Sequence, residues 1–308
     1  MQSPHIPVLL QEVLDAFDDF DDFDGGDFLD CTLGYGGHSK ALLQAHEKLR
    51  LIACDKDLEA LNFSKDFLKN FQDRISFNHI GFKDILTQIS TQNLRGILAD
   101  IGVSSLQLDK NDRGFSLNSD FLDMRMDQNN PLSAKEVVNF YSKEALEQIF
   151  KDYGDLTPVA SMLAQKIINA RSQKEIVSAK ELSQIIGNAK LKGRNVSLAL
   201  LVFQALRIEV NNELGELKSL LENIEKAKLK DCKLAIISFH SLEDRIVKNT
   251  FKRWEKDCIC DERAIKCECG KGHSLGKILS KKAISASKEE ISYNSRSSCA
   301  KMRIFYFR

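Results

Sequence analysis

Apolar residues recur at helical spacing in VLLQEVLDAF, residues 8–17. A run of Asp and Phe, DDFDDFDGGD at 18–27, then reads as a solvated turn before the first strand. FLDCTLGYGGHSKALLQ at 28–44 gives strand, glycine loop and helix in succession. LRLIACDKD at 49–57 is a second strand ending in acid, followed by a helix near 58–71. RISFNHIGF at 74–82 and LRGILADIGVSS at 94–105 are the third and fourth strands. After Ser105 the alternation stops, and residues 133–225 read almost wholly as helix. Strand character resumes at CKLAIISFHSLEDR, residues 232–245, and KMRIFYFR at 301–308 is the final strand. No repeat of fixed period is visible.

Strands alternating with helices predict an α/β fold, a doubly wound, mostly parallel Rossmann-like sheet. A helical stretch between strands of one sheet predicts an inserted subdomain. The expected division is a sheet domain of residues 1–108 and 212–308 with a helical insertion over 109–211.

Composition changes this picture little. With 43% hydrophobic and 29% charged residues the chain has the makings of a packed core, and its formal net charge of zero identifies no partner. The distribution is more informative: from Arg245 onward there are 16 Lys/Arg against 7 Asp/Glu, a bias suited to phosphates or simply to a solvated surface. MQSPHIPVLL lacks the basic start of a signal peptide, and no apolar run reaches the roughly 20 residues of a membrane span. Cys31, Cys54 and Cys232 stand alone in apolar strands, which fits a reducing cytoplasm better than a disulfide framework.

Candidate chemistry gathers at the predicted strand ends. Gly34, Gly36 and Gly37 lie between a strand and a helix, where backbone N–H groups and the helix N-terminus can face an anionic or nucleotide ligand. A dinucleotide fingerprint would place a third glycine at position 39, which is Ser39. Asp55 ends the second strand at the offset where an acid meets ribose hydroxyls. The loop and acid alone fit NAD, S-adenosylmethionine or a tight turn. Asp100-Ile101-Gly102-Val103-Ser104-Ser105 and the group His240, Ser241, Glu243, Asp244 and Arg245 follow two further strands, so three strand ends converge on one edge.

Several longer motifs accompany these: HIPVLLQEVL at 5–14, LGYGGHS at 33–39, DIGVSSLQLD at 100–109, RGFS at 113–116, LDMRMD at 122–127, FQALRIEVNNEL at 203–214 and FHSLEDRIVK at 239–248. On these the chain resembles, nearly end to end, the bacterial 16S ribosomal RNA cytosine-N4 methyltransferases, the MraW or RsmH family. The resemblance implies that Gly36, Gly37 and His38 contact S-adenosylmethionine, that Asp55 holds the ribose, that Phe82 lies against the adenine, and that Asp100 and Gln107 complete the cofactor pocket. It also implies 16S ribosomal RNA of the small ribosomal subunit as partner and the helical insertion as the part that recognises it. The chain departs from the family pattern at Leu106, at Ala199-Leu200-Leu201 and at Ser298, positions that bear on RNA docking rather than on the cofactor.

Methylation of cytosine at C5 needs a thiolate that attacks C6, and neither late strand end offers one. Methylation at N4 needs acceptors for the amino hydrogens, for which Ser104, Ser105, His240 and Asp244 are the candidates. Near the C-terminus, CICDERAIKCECGKGH places Cys258, Cys260, Cys267 and Cys269 in a C-x-C-x6-C-x-C arrangement. These read either as ligands of a tetrahedral Zn2+ or as a group of reduced surface thiols; C-x2-C is the more usual zinc spacing.

Overall fold

The computed structural model describes residues 6–20, 25–103, 107–108, 110–261 and 266–308. The chain divides into two compact units, Met1–Gly102 with Gly215–Arg308, and Val103–Leu214. The division thus falls several residues inside the expected first boundary at 108 and just beyond the second at 211.

The first unit is built on β1 (Gly26–Asp30), β2 (Leu49–Asp55), β3 (Ile75–His79), β4 (Leu94–Asp100), β5 (Cys232–Ser238), β6 (Gly276–Ile278) and β7 (Lys301–Phe307). They form one sheet in the order β3-β2-β1-β4-β5-β7-β6. The first five strands are parallel, while β7 runs antiparallel to both β5 and β6. The order reverses between β1 and β4, which is where an open sheet of this kind leaves a crevice at its carboxyl edge. β1 already begins at Gly26, within the segment read as a turn, and the short β6 was not visible in the sequence pattern.

Successive residues of the buried strands serve opposite faces, as a period of two requires. Phe28, Leu98, Ala235 and Ile237 face one core with Phe17, Phe20, Leu42 and Leu61. Leu29, Ile97, Ala99, Leu234 and Ile236 face the other. There they meet α10 (Glu213–Ala227) through Leu217, Leu220 and Leu221, and α11 (Ser241–Glu255) through Val247, Phe251 and Trp254. An edge-to-face pair, Phe17 and Phe28 with centroids 4.8 Å apart, closes the first layer. Trp254 closes the second against Phe251, Phe305 and Phe307 at 5.6, 5.5 and 5.3 Å.

The second unit has a core of its own. It comprises α5 (Ala134–Phe140), α6 (Lys143–Asp152), α7 (Ala160–Arg171), α8 (Ala179–Ile186) and α9 (Leu198–Asn211). Serine stands at the N-cap of α6, α8 and α9, its hydroxyl accepting from a backbone N–H of the first turn. At the start of α5, Glu136 accepts from the Ser133 N–H at 2.9 Å. The preceding loop is fixed by buried polar groups: Arg113 donates to the Arg125 and Met126 carbonyls at 3.1 and 3.0 Å. Asn211 accepts from the Met126 N–H and donates to the Met124 carbonyl, both at 2.8 Å. The RGFS, LDMRMD and FQALRIEVNNEL motifs are in this respect a shared internal scaffold. Among the described residues no helix is long and apolar enough to cross a membrane.

Trp254→Ala should cost about 3–5 kcal/mol of stability, because a large side chain only 1% exposed leaves a cavity among three rings. Urea unfolding followed by circular dichroism measures this, since Trp254 is the sole tryptophan and its own fluorescence is lost. An unchanged midpoint would contradict the packing described.

Candidate active site

All five parallel strands end in a polar side chain at the same edge: Asp30 on β1, Asp55 on β2, His79 on β3, Asp100 on β4 and Ser238 on β5. The loop from Thr32 to Gly36 is tied to the three acids. The Thr32 N–H donates to Asp30 Oδ1 at 3.1 Å, and the Ser39 hydroxyl donates to Asp30 Oδ2 at 2.6 Å. The Gly34 N–H donates to Asp55 Oδ2 at 2.7 Å. The Asp100 N–H donates to the Thr32 hydroxyl oxygen at 2.7 Å. From outside, the Ser64 hydroxyl donates to the Gly34 carbonyl at 2.8 Å.

The loop delivers the chain into α2 (Gly37–Ala45), whose N-cap Gly36 sits at φ 76° and offers no side chain to the first-turn N–H groups. A Cβ on Gly37 would stand 2.4 Å from Pro7 Cγ, so the helix start is pressed against the N-terminal segment and has room only for glycine. His38, one residue on, is buried, and its Nε2 donates to the Val8 carbonyl at 2.9 Å. Its Nδ1 faces Asp100 Oδ2 at 3.8 Å.

The carboxylates are dehydrated and close to one another. Burial pushes Asp30 up to about 6, against the hydrogen bonds from Ser39 and Thr32 that favour the anion. Burial also raises Asp55, offset by the N–H groups of Asp57 and Gly34. Asp100 is pushed furthest, to about 8, by burial first and then by the negative charges of Asp30 and Glu243. The Asp100 side chain is 19% exposed, yet its Oδ1 is buried and makes no hydrogen bond. Asp55 spends two acceptor positions on Gly34 and Asp57 and keeps two for a ligand. Burial and mutual repulsion make charge on these acids costly, and a ligand that brings positive charge and hydroxyl groups to the edge would relieve that cost.

The other expected residues fall as follows. Phe82 opens α4 (Phe82–Ile85), two residues past Ile80, whose N–H donates to the Asp55 carbonyl at 3.1 Å, so its backbone lies at the same edge. Its side chain is half-buried against the α10 side of the sheet. Gln107 belongs to the second unit and is buried there. Ser104 and Ser105 lie outside the described residues.

His240 caps α11: its Nδ1 accepts from the Glu243 N–H at 3.4 Å, and Glu243 Oε2 accepts from the Phe239 and His240 N–H groups at 2.9 and 3.2 Å. His240 Nε2 stands 3.0 Å from Glu243 Oε1 but is not aligned as a hydrogen bond. The ring is oriented by Glu243. Asp244 takes a bidentate grip from Arg303 of β7, at 2.7 and 3.1 Å, which ties the first turn of α11 to the sheet and occupies an oxygen on each side of the carboxylate.

Sequence reasoning passed over Asp30, although an acid closing the first strand repeats the pattern of Asp55 and Asp100. Cys31 and Cys54 are buried, with thiols held well above their ordinary range by dehydration, and Cys54 Sγ is turned to the Cys31 carbonyl at 3.3 Å. Neither has thiolate character. Cys258, Cys260, Cys267 and Cys269 converge on one another in the segment between α11 and β6.

Comparison with known proteins adds the following. A family model described as the MraW methylase family matches residues 2–308. A Campylobacter lari protein named ribosomal RNA small subunit methyltransferase H is 96% identical over 308 residues, covering 100% of both chains. A Campylobacter jejuni protein of the same name is 61% identical, over 100% of this chain and 98% of its own. One from Campylobacter fetus is 58% identical, over 99% and 98%.

The raised carboxyls have a consequence for stability. The folded chain holds protons on Asp30 and Asp100 at pH values where the unfolded chain, with carboxyls near 3.8, has lost them. Their stabilising contribution is therefore full below about 4 and is lost as pH rises through about 6 and then about 8. In the ligand-free protein urea midpoints should fall across this window, and Asp100→Asn should remove the more alkaline part of the fall. A variant that keeps the whole wild-type slope would place the titration elsewhere.

Proposed function

Because the chain belongs to the MraW methylase family, we propose that it transfers the methyl group of S-adenosylmethionine to the exocyclic N4 of a cytidine in 16S ribosomal RNA of the small ribosomal subunit. The observation that carries the cofactor half of this reading is the strand-end cluster. Asp100 Oδ1 is a buried acceptor without a partner, Asp55 has acceptor positions to spare, and the start of α2 is stripped of side chains. These features fit a ligand with a cationic amino-acid end and a ribose. In this reading Gly36, Gly37 and His38 line the amino-acid end beside Asp100, Asp55 receives the ribose hydroxyls, and Phe82 supports the adenine. Gln107 is assigned to the same ligand by family resemblance.

When bound, the cofactor supplies an activated methyl group on its sulfonium. What the chain must add is alignment of the acceptor nitrogen, exclusion of water, and acceptors for the N4 hydrogens. We assign that last task to Ser104 and Ser105; His240, whose Nδ1 lone pair is already taken by the Glu243 N–H, is assigned to positioning the base. Asp244, engaged by Arg303, serves instead to position α11. The buried thiols of Cys31 and Cys54 disfavour the C5 route, which needs a reactive thiolate.

RNA recognition is assigned to the helical unit. Of its basic residues, Lys166 and Arg171 donate to backbone carbonyls within the unit, and Arg194 pairs with Asp155. Lys190 and Lys192 are exposed and remain the better candidates for phosphate contact.

Two measurements test this reading. Mass spectrometry of small-subunit RNA from a strain lacking the protein should show loss of N4-methylcytidine at one position. Purified protein with labelled S-adenosylmethionine should restore it. Methyl label on C5, or release of the C5 hydrogen during turnover, would overturn the assignment.

Asp55→Ala should weaken S-adenosylmethionine binding by about 1.5–3 kcal/mol, roughly tenfold to a hundredfold. Calorimetry on a variant with unchanged circular dichroism reads this, and full affinity would take the ribose away from Asp55.

A further inference from the structure

Between the end of α11 at Glu255 and the start of β6 at Gly276 the chain leaves the sheet and returns. The excursion has almost nothing to fold around. None of its described side chains from Lys256 to Ser274 is buried, and its one described large apolar residue short of Leu275, Ile259, is 65% exposed. Among the described residues, therefore, apolar burial does not hold it together. What it contains is four sulfur atoms meeting at a point. Cys258 Sγ lies 3.6 Å from those of Cys267 and Cys269, Cys267 Sγ lies 3.7 Å from that of Cys269, and one ligand atom from each of the four cysteines lies within 4.8 Å of the others.

Backbone geometry is arranged around the sulfurs. The N–H groups of Glu268 and Cys269 both donate to Cys260 Sγ at 3.3 Å. Gly270, Lys271 and Gly272 follow with φ of 76°, 65° and 81°, a left-handed run that turns the chain back. The neck is closed by Asp257, whose Oδ1 accepts from the Gly272 N–H at 2.9 Å, and by the Leu275 N–H donating to the Trp254 carbonyl at 2.8 Å. His273 lies next in the chain, but its Nε2 is engaged with the Cys269 carbonyl at 3.1 Å, which leaves the thiols as the ligand set.

Sulfurs bound at about 2.3 Å to one tetrahedral metal stand about 3.8 Å apart. The three spacings among Cys258, Cys267 and Cys269 match that figure and are far from the roughly 2.05 Å of a disulfide, and Cys260 completes the group within 4.8 Å. We propose that Cys258, Cys260, Cys267 and Cys269 bind a single Zn2+ as a closed tetrathiolate site that supplies the folding energy this segment lacks. The thiols release their protons to solvent on binding. Four protein ligands leave no open position, so the metal is structural.

The register of the sheet says what the metal anchors. The excursion ends at Gly276, which pairs with Phe307 of β7, and Phe307 pairs with Cys232 at the start of β5. Ser238, at the end of β5 on the cofactor edge, pairs with Lys301. The zinc segment thus joins the sheet at the edge opposite the strand-end acids, and it secures β6, a three-residue edge strand that has little pairing of its own.

The test uses the full chain and needs no activity. Protein purified from zinc-supplemented medium should carry one zinc per chain by mass spectrometry. Cobalt exchanged for zinc should give the intense charge-transfer and ligand-field absorption of a tetrahedral tetrathiolate. Cys260→Ser should lose the metal and become sensitive to protease between residues 256 and 275, with S-adenosylmethionine affinity unchanged. Cys260→His should keep the metal and alter the cobalt spectrum. Protein that holds neither zinc nor cobalt after reconstitution under reducing conditions would overturn the proposal. Metal retained when all four cysteines are serine would also overturn it. Loss of cofactor affinity in a folded, metal-free variant would overturn the placement of the site away from the active edge.

Discussion

The turn that leads from β1 into α2 contains two glycines in six residues and runs into a third at the helix start, and by itself such a segment samples many conformations. Its shape is imposed by its surroundings. Carboxylates at the ends of β1 and β2 take its N–H groups, the backbone at the end of β4 donates into Thr32, and Ser64 caps its carbonyl. The sheet must therefore be in register before the loop is right, and the loop must be right before the helix start is open to a ligand. Three acids crowded at one dehydrated edge are costly to keep, and hydrogen bonds from Thr32 and Ser39 to Asp30 and from Gly34 and Asp57 to Asp55 offset part of that cost. The raised affinity of Asp30 and Asp100 for protons is the same cost expressed as a titration.

Much of this could be read from the chain before any coordinates. Glycines between strand and helix, and an acid closing a strand, are local patterns, so Gly36, Gly37, Asp55 and Asp100 stood out. Asp30 did not, because its role depends on Ser39 beyond the loop and because FLD is also an ordinary end of a strand. Asp244 read as an exposed acceptor beside His240, since its partner Arg303 lies 59 residues further on and nothing in the local pattern points to it. The alternation of apolar residues marked residues 301–308 as a strand but carries no information about direction, and the antiparallel pairing of β7 had to come from the structure. β6, with three residues, is too short to show a period at all.

The polar motifs of the helical unit had a different outcome. RGFS and LDMRMD are unusual in composition and carry part of the family resemblance. In the structure Arg113 and Asn211 spend their hydrogen bonds on backbone groups of residues 124–126, and Arg125 pairs with Asp123 at 2.7 Å. Buried polar groups need partners, and a loop without regular structure supplies unpaired carbonyls, so each need meets the other. Such a sequence identifies a family as firmly as a catalytic motif does while serving a framework.

The placement of that unit between β4 and β5 bears on how the molecule assembles. Asp100 and Ile237 are neighbours across a parallel ladder although 137 residues separate them. For a flexible chain the entropy lost in closing such a loop grows with the logarithm of its length, by about 0.6 kcal/mol per doubling, and contacts this distant in sequence form slowly. Helices joined by short connections around a core of their own form from nearby contacts, with no such delay. Once they are packed, much of the intervening chain is no longer free, and the effective loop is shorter. The pairing of β5 with β4, which brings Ser238 and with it His240 and Glu243 to the strand-end edge, is the long-range contact whose closure entropy that packing lowers.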